Sequence, residues 1–280
     1  RADSDPWRVT GVLDQVERVD LDLEDPASVA AAVKAARPDV VFHLAAWASG
    51  RSAATDPDAW TRSFRINTQG TMQLLQAVGD HAPGARFVRA GGMEEYGDGP
   101  VPFVETQRER AVSPYSASQI AATQMSHALG AARGIAVTTL RPALVYGPTQ
   151  DPSFFLPGCV KAAAAGEDFE MTDGTQEVDF IFVGDVVRGF LAAAVSDAAA
   201  GEIINLGSGE AHPVRFIGEL VYRLAVENGR GGGSLRLGAR PHRAGEAPRR
   251  AMNIEKADRV LGWSPRVTLP VGVDRTLACE

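Results

Sequence analysis

Short apolar runs rich in Val, Ile and Phe alternate with longer stretches whose apolar positions recur at helical spacing, and this rhythm holds to about residue 145. Residues 16–21 read as a strand, and Asp25-Pro26 opens a helix expected to run to about Arg37. Residues 40–45 form a continuous apolar run bounded by Pro38-Asp39, which suits a strand buried on both faces. A long helix is expected over 58–78, a strand over 86–89, a helix over 114–132 and a strand over 135–141. Strand–helix alternation of this kind implies right-handed crossovers and a parallel sheet.

After Tyr146-Gly147-Pro148 the rhythm changes. Helices expected over 152–165 and 183–195 are separated by loops rich in Gly and Asp, with candidate strands at 203–206 and 234–237. Gly229 to Gly233 reads as a flexible connection. The expected architecture is α/β: a Rossmann-like parallel sheet formed by residues 1–148 with parts of 175–207, and a smaller C-terminal α/β substrate lobe formed by 149–174 and 208–280. A dinucleotide fold of this class opens with a strand and a glycine-rich turn whose amides cradle a pyrophosphate. No such turn precedes Val40, so the chain is expected to start at about the second or third strand, with the first βαβ unit absent.

Composition narrows the possibilities. The 280 residues are 45% hydrophobic and 22% charged, enough to bury a sizeable core. A net charge of −7 without a basic stripe argues against a nucleic-acid partner. No apolar run is long enough to span a membrane, and no signal peptide is visible. Cys159 and Cys279 form no CxxC pair, which excludes a zinc site of that type and points to a reduced, cytoplasmic setting. Arg240, Arg243, Arg249 and Arg250 are a local basic patch that either meets solvent or faces a diphosphate, since Arg binds phosphate in bidentate fashion.

Several motifs fall in a fixed order. Asp22-Leu23 follows the first expected strand, and Val41-Phe42-His43-Leu44-Ala45-Ala46-Trp47 carries small residues at a strand end. Asn67 opens Asn67-Thr68-Gln69-Gly70-Thr71, and Ala90-Gly91-Gly92-Met93-Glu94-Glu95-Tyr96-Gly97 ends another strand. Pro114-Tyr115-Ser116-Ala117-Ser118-Gln119 puts Tyr115 and Gln119 one turn apart on one helix face. Leu140-Arg141-Pro142-Ala143-Leu144-Val145-Tyr146-Gly147-Pro148, Gly174-Thr175-Gln176-Glu177-Val178-Asp179-Phe180, Asn205-Leu206-Gly207-Ser208-Gly209, Arg243-Ala244-Gly245-Glu246 and Leu261-Gly262-Trp263-Ser264-Pro265 follow.

From about residue 19 to 265 this series resembles the extended short-chain dehydrogenases/reductases, the NAD-dependent epimerase/dehydratase group that acts mostly on nucleotide sugars. The resemblance implies NAD or NADP as cofactor, a small-molecule substrate that is a nucleotide sugar, and a homodimer built on the helices near 58–78 and 114–132. It places Asp22, Leu23, Leu44, Ala45, Ala46, Trp47, Pro142, Ala143 and Val145 against the cofactor, together with Tyr115 and Gln119. It places Leu144, Val178, Arg243 and Glu246 against the substrate, and assigns no metal. His43 is expected to be a core residue hydrogen-bonded within the sheet, and Asn67 a structural tie between strand and helix backbones.

The catalytic positions depart from the family pattern. The family's Tyr-x-x-x-Lys pairs a proton-passing tyrosine with a lysine that lowers its pKa; here Gln119 stands in the lysine's place and Tyr115 remains. Gly92 replaces the usual Ser/Thr, Met93 stands where 4,6-dehydratases carry an Asp acid, and Glu94 aligns with the family Glu, a possible base. Losing a hydrogen bond to the reacting oxygen costs about a hundredfold or more, and the missing cation is expected to leave Tyr115 near the free tyrosine value of about 10. Three readings stay open: a nucleotide-sugar epimerase, dehydratase or reductase with an altered triad; a lyase, isomerase or cyclase of natural-product biosynthesis without net hydride transfer; and a non-catalytic binding member.

Overall fold

The computed structural model describes residues 7–48, 55–242 and 247–280. Its first half contains α1 (Pro26–Ala36), β1 (Val40–His43), α2 (Pro57–Ser63), α3 (Gly70–His81), β2 (Arg86–Ala90), α4 (Pro114–Arg133), β3 (Ala136–Pro142) and β4 (Leu144–Tyr146). Its second half contains α5 (Phe155–Ala165), β5 (Phe169–Glu170), β6 (Glu177–Phe182), α6 (Val183–Val195), β7 (Ile203–Leu206), β8 (Ala211–Pro213), α7 (Val214–Glu227), β9 (Leu235–Arg236), β10 (Arg249–Arg250), α8 (Glu255–Leu261) and α9 (Leu269–Leu277).

The chain divides into two compact units. The first comprises 1–97, 108–140 and 193–203; the second comprises 98–107, 141–192 and 204–280. Residues 98–107 and 141–148, expected in the first body, belong to the second.

The first unit is built on the parallel strands β1, β2 and β3, in that order. Helices α1 and α3 pack together beside it, and the core gathers Val29, Leu75, Val78, Phe87 and Val137. The expected strand at 16–21 does not form: a 3-10 helix at Trp7–Gln15 leads into chain without regular structure. Extended backbone becomes a strand only when a neighbour satisfies its amides and carbonyls. Among the described residues β1 accordingly pairs with β2 alone, and the expectation that it is buried on both faces fails, since Phe42 is exposed while His43 is buried.

Helix starts follow from capping chemistry. Asp25 accepts a hydrogen bond from the Ala27 amide at 3.0 Å, with Pro26 at the first helical position. In α4, Ser113 Oγ accepts from the Ser116 amide at 3.1 Å, and Ser116 Oγ accepts from the Ser113 amide at 3.0 Å. This reciprocal cap fixes the turn that carries Tyr115. The same helix lies tight on β3, because a Cβ at Gly130 would sit 2.5 Å from Val137 Cγ2.

The long helix expected over 58–78 is interrupted by a π-helical segment, Phe64–Gln69. Such insertions shift the face that side chains present and recur at functional sites. Here the π turn carries Asn67 and Thr68 inward, both buried. Gly70, just beyond it, permits close approach to α1's lead-in, since a Cβ there would lie 2.9 Å from Leu23 Cβ.

The second unit has a sheet of order β10-β6-β4, with β8 antiparallel to β6, and a parallel β5-β9 pair. Helices α5, α7 and α9 pack on its core, where Tyr146, Leu156, Phe180, Ile217, Val221 and Val273 meet. Asp185 is buried and accepts from the Arg266 and Val267 amides at 2.9 Å each, and from Arg188. The Trp263 indole donates to the Asp185 carbonyl at 3.0 Å, giving the Leu-Gly-Trp motif a packing role.

Candidate active site

Within the first unit, the ends of β1 and β2 and the first turns of α4 are joined by one hydrogen-bonded network. The β1 end is the cofactor side of the resemblance. Leu44, Ala45 and Ala46 are exposed there, Leu44 at 62%. Asn67 grips the next residue through both backbone groups: its Oδ1 accepts from the Trp47 amide at 2.7 Å, and its Nδ2 donates to the Trp47 carbonyl at 2.9 Å. The Asn67 amide also reaches Ser118 Oγ at 2.9 Å, and Ser118 Oγ donates to the Tyr115 carbonyl at 2.8 Å. The π turn thus ties the β1 end directly to the tyrosine helix. Open, small-residue backbone beyond the carboxyl end of a parallel strand, rigidly held, fits a flat dinucleotide laid against it.

His43 is buried in this layer. Its Nε2 lies 2.8 Å from Thr71 Oγ1, whose own proton goes to the Asn67 carbonyl at 2.5 Å, so the imidazole donates from Nε2. The partner is a helix hydroxyl, not a sheet group as expected. Burial, and then the Arg89 charge, push the imidazole down to about 4. The unfolded chain takes up this proton near 6.5 and the folded chain only near 4. As pH falls, protons therefore bind the unfolded state first, and stability is lost through that window, by roughly 3 kcal/mol in total. Denaturant titrations from about pH 7 to about pH 4 should show this loss shrinking in His43→Gln; parallel curves for the two proteins would remove His43 from the account.

The β2 end holds the altered catalytic positions. Gly92 has extended backbone, φ −176° and ψ 163°, and the nearest atom to a Cβ built there is the Glu94 amide nitrogen at 3.9 Å. Backbone and space at Gly92 both admit a larger residue. Met93 is buried and Glu94 half-buried. The neighbouring Glu95 is fully buried: its Oε1 accepts from the Gly92 amide at 3.1 Å and its Oε2 from Thr123 Oγ1 at 2.8 Å.

Arg89, the penultimate residue of the β2 ladder and 1% exposed, closes the network. Its Nη1 donates to Thr123 Oγ1 at 2.6 Å, and its Nη2 donates to the Gln119 side-chain oxygen and, at 3.3 Å, to the Gln119 carbonyl. Gln119 itself is 3% exposed and stands one helical turn after Tyr115 on the same face of α4. Tyr115 ionises above its ordinary value, not at it as expected: burial is the largest cause, Glu95 and Glu94 add to it, and Arg89 and Gln119 oppose it. Arg89, Glu95 and Thr123 are residues that the motif reading passed over. An arginine inside the apolar run Arg86-Phe87-Val88-Arg89 was the readable signal.

Asp22 is exposed and caps the Glu24 amide at 3.0 Å, while Leu23 belongs to the core. In the second unit Ala143 is buried, Pro142 and Val145 are half-buried, Leu144 packs against the core and Val178 is buried within it. Asp179 is buried and accepts from Ser208 and Gly209; burial, outweighing those bonds, raises its carboxyl above the usual range. Arg240 pairs with Glu170 at 3.8 Å and Arg249 with Glu177 at 3.3 Å. Arg243 and Glu246 lie outside the described residues. Among the described residues no helix is long and apolar enough to cross a membrane, and no group of His, Cys, Asp and Glu could hold a metal ion.

Comparison with known proteins gives one consistent answer. The chain is 31% identical over 272 residues to the UDP-glucose 4-epimerase of Mycolicibacterium smegmatis, covering 94% of this chain and 82% of that protein. It is 30% identical over 241 residues to the UDP-glucuronate 4-epimerase of Thermodesulfobacterium geofontis, covering 85% and 71%. Among solved structures, the UDP-glucose 4-epimerase of Thermus thermophilus, a complex with NAD, superposes with a TM-score of 0.80 at 28% identity, covering 96% of this chain and 88% of that one. Residues 2–207, well over half of the sequence, match the NAD dependent epimerase/dehydratase family as a whole, and the chain belongs to that family.

Proposed function

We propose that this chain is an NAD(P)-dependent enzyme of nucleotide-sugar conversion, an epimerase or reductase working with an altered triad. The observation that carries the reading is Tyr115, held by a reciprocal cap in the first turn of α4, with Gln119 one turn on and Arg89 bonded to that glutamine. Relatives that act on UDP-glucose and UDP-glucuronate supply the substrate class. When bound, the nicotinamide would take a hydride from the sugar carbon and return it in an epimerase, or supply one in a reductase. Leu44, Ala45 and Ala46 form its wall in the first unit, with Asn67 keeping that wall in place through Trp47. Pro142, Ala143 and Val145 are its further contacts, and Leu144, Val178, Arg243 and Glu246 the substrate contacts, on the family resemblance. Tyr115 exchanges a proton with the sugar oxygen. Buried and raised above its free value, its hydroxyl stays protonated at neutral pH and serves as an acid; its use as a base grows with pH. Met93, buried and without a proton to give, argues against 4,6-dehydration.

The exposed Trp60, Phe64 and Met125 lie on the helical segments that the resemblance assigns to a homodimer, and we include a dimer in the proposal. The cytoplasmic setting read from Cys159 and Cys279, neither in a disulfide, goes with it.

Calorimetric titration with NAD, NADH, NADP and NADPH, followed by incubation with UDP-glucose and UDP-glucuronic acid, tests the reading. Dinucleotide binding and appearance of a C4-altered sugar are expected, with the rate rising toward alkaline pH. If no dinucleotide binds, the reading falls; sugar conversion that ignores added dinucleotide would instead favour the lyase or isomerase alternative.

A further inference from the structure

The proposed reaction needs a positive charge near Tyr115, and the helix position one turn on holds a neutral Gln119. The first unit places a buried charge beside it from a different element. Arg89 projects from β2 and donates to the Gln119 side-chain oxygen, to its carbonyl and to Thr123. A carboxamide has one oxygen and one NH2 group. With the oxygen committed to the guanidinium, the NH2 is left to donate, and Tyr115 stands one turn before it on the same face of α4. Glu95, on the far side of Thr123, supplies the counter-charge and also holds the Gly92 amide.

We propose that Arg89 is a positioning residue that supplies, through the Gln119 amide, the positive charge that a Tyr-x-x-x-Lys helix carries on its own lysine. The guanidinium polarises the amide and fixes its orientation, and the amide's N–H stabilises the oxygen of Tyr115 when its proton leaves. The charge is relocated from helix to strand. Arg89 and Gln119 both favour the ionised tyrosine, against burial and the carboxylates of Glu95 and Glu94. Burial first, and then the same guanidinium, disfavour charge on His43. The inference rests on the assignment of Tyr115 as the proton-passing group, but its test uses neither cofactor nor sugar.

The test is an ultraviolet titration of tyrosinate, with the Tyr115→Phe spectrum subtracted so that Tyr115 alone is read. Removing the charge with Arg89→Leu should lower the Tyr115 tyrosinate fraction at a given alkaline pH by about tenfold or more, since a nearby cation moves an acid's ionisation by about that much. Moving the charge back to the helix with Arg89→Leu/Gln119→Lys should restore the fraction to within about threefold of the parent. Gln119→Met, which keeps Arg89 and deletes the relay, should lower it as well. A folded Arg89→Leu with an unchanged titration, or a Gln119→Met that titrates like the parent, overturns the inference. If Arg89→Leu does not fold, the charge-moved double variant and Gln119→Met decide the matter between them. Failure of every dinucleotide to bind would sink the proposed function and leave this titration untouched; turnover with an unmoved titration would sink the relay alone.

Discussion

Tyr115→Phe should lower turnover of the nucleotide sugar by about a hundred- to ten-thousandfold, the span expected when a positioned proton-transfer group is removed. The fold should survive. The substitution removes one hydroxyl, an effect of about 1 kcal/mol, and the aromatic ring keeps its place in the capped turn. In a chain of this size that corresponds to a melting temperature change of about 2–4 °C. The two readouts must therefore separate: large loss of rate and small loss of stability. A variant that retains most of its activity would show that proton transfer does not pass through Tyr115.

The second large effect is on stability. Arg89→Leu removes the guanidinium that shares the Thr123 hydroxyl with Glu95, a carboxylate at 0% exposure. Breaking a buried charge arrangement from one side costs about 3–5 kcal/mol, whereas replacing both charges with apolar groups of suitable volume is often neutral. Arg89→Leu should therefore be strongly destabilised in urea, and Arg89→Leu/Glu95→Val should recover most of the loss. Additive costs in the double variant would mean that the two charges do not stabilise each other.

Much of this arrangement was legible in the sequence because it depends on local rules. The helices at Pro114–Arg133 and Val183–Val195 and the strands at Arg86–Ala90 and Ile203–Leu206 follow from caps, apolar period and strand length, and each lies where the pattern puts it. What the pattern missed depends on partners distant in sequence. Residues 16–21 have the composition of a strand, but composition supplies no pairing edge. The π turn at Phe64–Gln69 leaves the apolar period almost unchanged while redirecting Asn67 and Thr68. At the site, reading motif positions one at a time shows Gly92 and Gln119 as losses. Arg89 and Glu95 lie within a few residues of Gly92, yet their meaning depends on Thr123, 34 and 28 residues away along the chain.

The two departures at the site differ in how easily they can be undone. At Gly92 the backbone is extended and the neighbourhood open, so a serine enters in one step and nothing else has to move. Position 119 has no such freedom. A lysine placed there alone would thrust a second cation against Arg89, and taking Arg89 away first would strand Glu95. Whoever sets out to rebuild the family's usual chemistry in this chain must change the strand and the helix together, because every single-substitution route between the two charge layouts crosses a poorly folding protein.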